Sequence, residues 1–81
     1  MNHSIDKMKS SVYGKYLPAA NEGDPLAAKE CGKYFSLIED YDNAIKYFEH
    51  YLTAFPNDMN IKIKLKYLRI KQIKRFFWGY E

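Results

Sequence analysis

The sequence contains little of what catalytic, metal-binding or disulfide-linked proteins need. Cys31 is the one cysteine, so neither an internal disulfide nor a cysteine-based metal site can form. The two histidines, His3 and His50, lie far apart in the chain, and His50 has no ligand partner four residues on. No glycine-rich phosphate loop, Ser-His-Asp order or paired-carboxylate motif is present. We therefore expect no catalytic residue, no metal, no cofactor and no enzymatic activity.

Long apolar runs are also missing. The N-terminus does not begin an apolar stretch of signal-peptide length, and no stretch approaches the roughly 20 apolar residues that span a bilayer. The apolar helical neighbours of Cys31 favour a small buried core residue, which is compatible with a reducing compartment. We expect a cytoplasmic protein in which residues 1–81 form one small helical domain.

Residues 5–21 have the spacing of an N-terminal helix, with apolar side chains three and four positions apart. Ser4 is the expected N-cap of this helix. Pro18 lacks a backbone donor and clashes with the preceding turn, so we expect a kink or an early end near Leu17. The helix is expected to cover the segment that follows it.

Few glycines and prolines interrupt the centre of the chain, and they mark the ends of two further helices. Asp24 and Pro25 are typical of the N-cap and first residue of a helix, here over about 25–38. Glu39-Asp40 forms the next turn, with Asp40 as N-cap, and Pro56 ends the helix that follows. Such a short connection predicts an antiparallel helix pair.

Residues 59–80 are predicted to form a fourth helix. The alternation over residues 61–67 favours a strand, but the apolar character continues for about 20 residues without a breaker, which favours a helix. On a helix, one side is expected to pack on the third helix, through Ile61, Leu65, Leu68 and Phe76. The other side would stay exposed, through Ile63, Tyr67, Ile70, Phe77 and Tyr80. An exposed apolar stripe of this kind usually marks an interface.

Small and large residues recur at a fixed spacing within residues 25–58, at Cys31-Gly32, Phe35, Ala44, Phe48 and Pro56. This pattern resembles one tetratricopeptide repeat, and the lead-in over residues 20–25 is similar to the junction of the related Sel1-like repeats. Lys66 occupies the position where a second full repeat would carry glycine. We therefore interpret the last segment as a degenerate or terminal helix.

The resemblance implies an all-α fold, in which a single antiparallel helix pair is flanked by an N-terminal helix and a basic C-terminal helix. One repeat does not bury its apolar face alone, so flanking helices, a second copy or a partner must cover it. The resemblance also implies protein–protein binding, by a small adaptor, co-chaperone-like or inhibitor protein.

In tetratricopeptide proteins the first helix of each repeat lines a peptide-binding groove. The groove positions of this sequence are Lys29, Lys33, Ser36 and Leu37. Lys29 and Lys33 are neighbours on the helix, and their mutual repulsion is relieved when an anion joins them. The resemblance thus indicates a partner that carries acidic groups. The alternative is that these residues form a solvated helix face.

The positive charge is concentrated at the C-terminal end. Residues 1–58 carry a net charge of −3, whereas residues 59–81 carry +6. Candidate interface residues in this segment are Tyr67, Arg69, Ile70, Phe77 and Trp78. The segment is interpreted either as a terminal capping helix or as a surface for a protein partner or a second copy. An anionic membrane surface and a nucleic acid are the remaining alternatives.

Overall fold

A computed structural model describes the backbone of residues 3–78 and the side chains of residues 4–75. Within the described backbone the chain forms helices and turns without a strand, which confirms the predicted all-α fold of four helices. The first helix, α1 (residues 3–21), is followed by α2 (Pro25–Leu37), α3 (Tyr41–Ala54) and α4 (Met59–Trp78).

The first helix changes its winding along its length. We label α1 the continuous helical segment made of an α-helix (His3–Ser11), a π-helical segment (Val12–Tyr16) and a final α-helical turn (Leu17–Asn21). The wider winding lies directly before Pro18, whose ring would clash with the carbonyl four residues back in a regular α-helix. Of the two outcomes predicted near Leu17, a kink or an early end, the early end is wrong, because the helix continues to Asn21. Ser4 lies inside the helix rather than at its N-cap.

The boundaries of α2 and α3 follow the predicted capping residues. The Asp24 carboxylate accepts two backbone N–H bonds at the start of α2, of 3.0 and 3.3 Å, and Pro25 is the first helical residue. Asp40 accepts one such bond at the start of α3. Glu39, in the turn between them, has a φ of 63°, a left-handed backbone conformation that glycine adopts at lower cost.

Close contacts show that α2 and α3 are antiparallel. Phe35 of α2 stacks on Tyr47 of α3, with ring centroids 5.8 Å apart. Nearer the start of α2, Gly32 lies against Phe48, which is fully buried. Because the residue number falls on α3 as it rises on α2, the two helices run in opposite directions. The absence of a side chain on Gly32 allows this close approach.

The flanking helices pack on this pair from two sides. Tyr13 of α1 meets Tyr34 of α2 edge to face, with ring centroids 6.2 Å apart. On the other side α4 runs antiparallel to α3, because Gln72 near its end bonds Asp42 near the start of α3. One core joins all four helices, and its buried residues include Val12, Ala20, Ala28, Cys31, Phe35, Ala44, Phe48, Tyr51, Ile61, Leu65 and Leu68.

Candidate functional site

The fourth helix has one face in the core. Asp58 precedes it and accepts the backbone N–H of Ile61 at 3.3 Å, as an N-cap does. Ile61, Leu65 and Leu68 are buried at 4, 6 and 1% exposure and lie at spacings of four and three. Their burial confirms the predicted packing side of α4, apart from Phe76, whose side chain lies outside the described residues.

The opposite face of α4 is apolar and exposed. Five apolar side chains at spacings of four, four, three and three are between 54 and 61% exposed. We call them the α4 stripe: Met59, Ile63, Tyr67, Ile70 and Ile73. Their exposure confirms the predicted open side at Ile63, Tyr67 and Ile70. Over about 21 Å of helix, an apolar row of this length is unusual on the surface of a small domain.

Two members of the stripe were missed by the sequence interpretation, which named Ile63, Tyr67 and Ile70. Met59 lies four residues before Ile63, and Ile73 three residues after Ile70, so their spacing was the available signal. The side chains of Phe77 and Trp78, which were also predicted to form this interface, lie outside the described residues, and so does Tyr80.

Three cations of α4 are held by groups of the domain itself. Arg69 forms a salt bridge with Glu49 of α3, so this predicted interface residue lies at the flank of the stripe. Arg75 donates to the backbone carbonyl of Glu39 at 2.7 Å and lies over the Tyr41 ring. The Lys71 ammonium lies 5.4 Å from the centre of the Tyr67 ring. A hydrogen bond with the Tyr67 hydroxyl raises the pKa of Lys71 above its ordinary value.

The other lysines of α4 are exposed and form no salt bridge within residues 4–75. They are Lys62, Lys64, Lys66 and Lys74. Lys66 comes three residues after Ile63 and four before Ile70, so it lies on the same face as the stripe. Because α4 contains no Asp or Glu, every charge that this helix itself places beside its apolar face is positive.

The predicted groove residues lie on the exposed side of α2. Lys29 is partly buried: its ammonium lies 4.0 Å from the Asp58 carboxylate and 5.2 Å from the centre of the Tyr51 ring. Lys33 is exposed and pairs with Glu30 at 3.5 Å. Ser36 is partly exposed and Leu37 is 55% exposed. Each of the two lysines therefore already has an acidic neighbour in the chain.

A polar cluster links the start of α4 to the other two helices. The Tyr51 hydroxyl of α3 donates to Asp58, while Lys29 reaches the same carboxylate from α2. The hydrogen bond from Tyr51 is the main reason that the pKa of Asp58 lies below its ordinary value. The same bond raises the pKa of the Tyr51 hydroxyl. The sequence interpretation did not find this cluster, because residues from three helices meet in it.

The two predicted surfaces occupy equivalent positions on two parallel helices. Both α2 and α4 run antiparallel to α3, and their N-caps, Asp24 and Asp58, are 34 residues apart. At the same spacing Lys33 of α2 corresponds to Tyr67 of α4, and Ser36 corresponds to Ile70. At these two positions α2 is polar where α4 is apolar, although Leu26 and Leu37 of α2 are also exposed.

Three further features concern a reactive thiol, a metal site and a membrane-spanning helix, each within the described residues. Cys31 is fully buried, and burial raises the pKa of its thiol to about 11, with a smaller contribution from Glu30. No three His, Cys, Asp or Glu side chains within residues 4–75 are placed to hold a metal ion. Among the helices over residues 3–78, none has both the length and the apolar content needed to cross a membrane.

No protein-family model, no curated protein and no solved structure matches this chain. The likeness to tetratricopeptide and Sel1-like repeats therefore stays a prediction from the residues over 25–58.

Proposed function

We propose that this chain is a small protein-interaction module of tetratricopeptide-repeat type, which binds a protein or peptide partner through the α4 stripe. One observation carries the proposal: five apolar side chains stay 54 to 61% exposed on a helix whose opposite face is buried. Removing such a row from water is a strong source of binding free energy, at roughly 25 cal/mol per Å² of apolar area. An adaptor, co-chaperone-like or inhibitor role in the cytoplasm accords with such a surface.

The repeat-like core supports the module type. Gly32 and Phe48 are in contact where the repeat pattern has a small and a large residue, and Ala28 and Ala44 are fully buried beside them. Helices held this tightly present their outer faces as fixed surfaces, which lowers the entropic cost of binding. Lys33 and Leu37 on α2 would add a second, more polar contact for an extended partner.

The experiment is affinity capture from the source organism with the purified chain and its variants. Ile63→Ser with Ile70→Ser removes two apolar members of the α4 stripe without touching the core. Ile38→Ser is the control, because Ile38 is 41% exposed just after the end of α2 and belongs to neither proposed surface. We expect a protein that the wild type and the control retain and the double variant loses. Identical recovery by all three chains would refute binding through the α4 stripe.

A test of the groove residues on α2 reverses the charge of Lys33 alone and leaves Lys29 unchanged. Lys29 neutralises Asp58, so Lys29→Glu would place two carboxylates together and disturb the fold. Lys33→Glu changes an exposed side chain whose only described ionic partner is Glu30. If Lys33→Glu leaves affinity for the captured partner unchanged, the groove of α2 does not contribute to binding.

A second candidate function is binding to nucleic acid or to an anionic membrane surface through residues 61–80. The observation that favours it is the group of four exposed lysines without a salt bridge within residues 4–75. Salt titration separates the two functions. Binding to phosphates weakens steeply as salt rises, whereas an apolar protein interface changes far less.

A further inference from the structure

The charges around the α4 stripe restrict what covers it. We infer that the partner is an amphipathic helix with acidic margins, which lays its apolar side on the α4 stripe and its carboxylates beside Lys62, Lys66 and Lys74. The inference rests on the proposed function and adds the chemistry of the partner to it. Three possible occupants of the stripe differ in charge and shape, and the structure distinguishes between them.

A second copy that pairs through its own α4 is disfavoured by charge. Met59–Trp78 contains seven Lys or Arg residues and no Asp or Glu, so two such helices side by side would repel each other. Only Arg69 and Arg75 among them are neutralised or hydrogen-bonded by α3 and the turn before it. Closely paired like charges across an interface cost several kcal/mol in general.

A second copy that stacks head to tail would need an apolar or acidic face at the other end of the molecule. The described outer residues of α1 are mainly polar or positively charged, and they include Ser4, Lys7, Lys9, Ser10, Ser11 and Lys15. Asp6 is the one acidic residue of α1. Apart from Tyr13, which is 50% exposed, the described outer face of α1 therefore lacks both the apolar row and the acidic charge that would complement the α4 stripe.

A bilayer fits the position of Lys66 poorly. Helices that lie in a membrane surface keep their charges on the face away from the acyl chains. Lys66 instead lies between Ile63 and Ile70 on the exposed face, and Lys74 follows Ile70 by one turn. Inserting the apolar side chains would carry these ammonium groups with them, at a desolvation cost that headgroups relieve only in part.

A partner helix with acidic residues places carboxylates beside the same ammonium groups, and these ion pairs offset part of the desolvation cost. Carboxylates spaced three or four residues apart line one edge of a helix, as Lys62 and Lys66 line one edge of α4. The stripe from Met59 to Ile73 is about 21 Å long, which corresponds to four turns of an ordinary partner helix. A helix bound on such a surface usually makes its contacts through three or four apolar anchor residues at helical spacing.

The test uses three labelled helical peptides of about 18 residues each. They share one leucine face, and its margins are Glu in the first, Gln in the second and Lys in the third. Binding to the full-length chain is measured by fluorescence anisotropy at about physiological salt, where long-range attraction is screened. We expect the Glu peptide to bind at least about tenfold more tightly than the Gln peptide, with the Lys peptide weakest.

Two variants show where the peptide binds. Ile63→Ser with Ile70→Ser is expected to weaken binding of the Glu peptide at least about tenfold, and Ile38→Ser is expected to leave it unchanged. Lys66→Glu with Lys74→Glu is expected to remove the preference for the Glu peptide over the Gln peptide, because it replaces two of the three proposed cationic contacts by carboxylates. Every substituted side chain is exposed, so we expect each variant to fold like the wild type. Circular dichroism melts check this expectation.

The outcomes of this test distinguish the inferred acidic partner helix from the proposed function, which is partner binding through the α4 stripe. Equal binding of the Glu and Gln peptides to the wild type would overturn the acidic partner and leave helix binding on the stripe intact. Binding of none of the three would overturn both. Co-sedimentation with phosphatidylserine vesicles that is lost in Ile63→Ser with Ile70→Ser would assign the stripe to a membrane surface instead.

Discussion

Gly32 shows how much one missing side chain contributes to this fold. A β-carbon at this position would lie 2.6 to 2.9 Å from three ring atoms of Phe48, a fully buried side chain. We expect Gly32→Ala to lower the free energy of unfolding by about 1–3 kcal/mol, because the overpacking outweighs the gain in helix propensity. Urea denaturation measures the change.

Gly14 supplies the matched control for that substitution. A β-carbon at Gly14 meets no atom within 4 Å, although the residue is helical as well. Gly14→Ala is expected to leave the stability unchanged or to raise it by up to about 1 kcal/mol. Equal effects of the two substitutions would show that α2 and α3 do not approach each other as closely as described.

Asp58 makes the stability of the fold depend on pH in the acidic pH range. Because its pKa is lowered in the folded chain, its contribution is fully present above the pKa of the unfolded chain and is lost as pH falls through the folded pKa. Tyr51→Phe removes the main cause of the lowered pKa. We therefore expect the variant to lose less stability than the wild type between about pH 6 and about pH 2.

Tyr47→Phe is the control for this pH dependence. The Tyr47 hydroxyl, also on α3, donates to the neutral side-chain amide of Asn21 at 3.1 Å. Its loss is expected to lower stability by a similar amount at every pH, by about 0.5–1.5 kcal/mol. Parallel pH profiles of Tyr51→Phe and the wild type in thermal melts would contradict the role given to the Tyr51–Asp58 bond.

At the scale of the helix, α4 combines a core face and a binding face. Leu65 is 6% exposed and Ile63 is 61% exposed, although they are two residues apart. We expect Leu65→Ala to lower the free energy of unfolding by about 2–5 kcal/mol and Ile63→Ala by less than about 0.5 kcal/mol. Chemical denaturation of both variants is the measurement. Similar losses from the two would mean that both faces of α4 are covered.

The bounds of α2 and α3 were predictable because the residues at their ends act locally: an Asp side chain caps the start of a helix, and a proline ends one. Asp24, Asp40 and Pro56 set the boundaries of α2 and α3 as expected. The choice of a helix for α4, against a local alternation typical of a strand, was correct because a helix of 20 residues places Ile61, Leu65 and Leu68 on one buried side.

The sequence did not predict the winding of α1 or the ion-pair partners of the lysines and arginines, because both depend on tertiary packing. Pro18 does not end α1, because the π-helical segment before it relieves the clash that a regular helix would create. The partners of Lys29 and Arg69 are Asp58 and Glu49, which lie on other elements at no helical spacing from them. These pairs decide which cations of the two predicted surfaces remain available, and only the assembled fold shows them.

At the scale of the whole molecule, polarity is distributed unequally between its two ends. α1 covers one side of the central pair and turns a mainly polar surface outward, whereas α4 covers the other side and turns the α4 stripe outward. The central claim is that this stripe is an open surface for a different molecule. The sequence alone left open whether the same segment is a terminal cap or a surface for a protein partner or a second copy.

The mass in solution, measured by light scattering over a wide range of protein concentration, tests this claim most directly. We expect a monomer throughout, because like charges on α4 oppose pairing of two copies. A stable dimer that becomes a monomer in Ile63→Ser with Ile70→Ser would contradict it, since the α4 stripe would then be covered by a second copy of the chain.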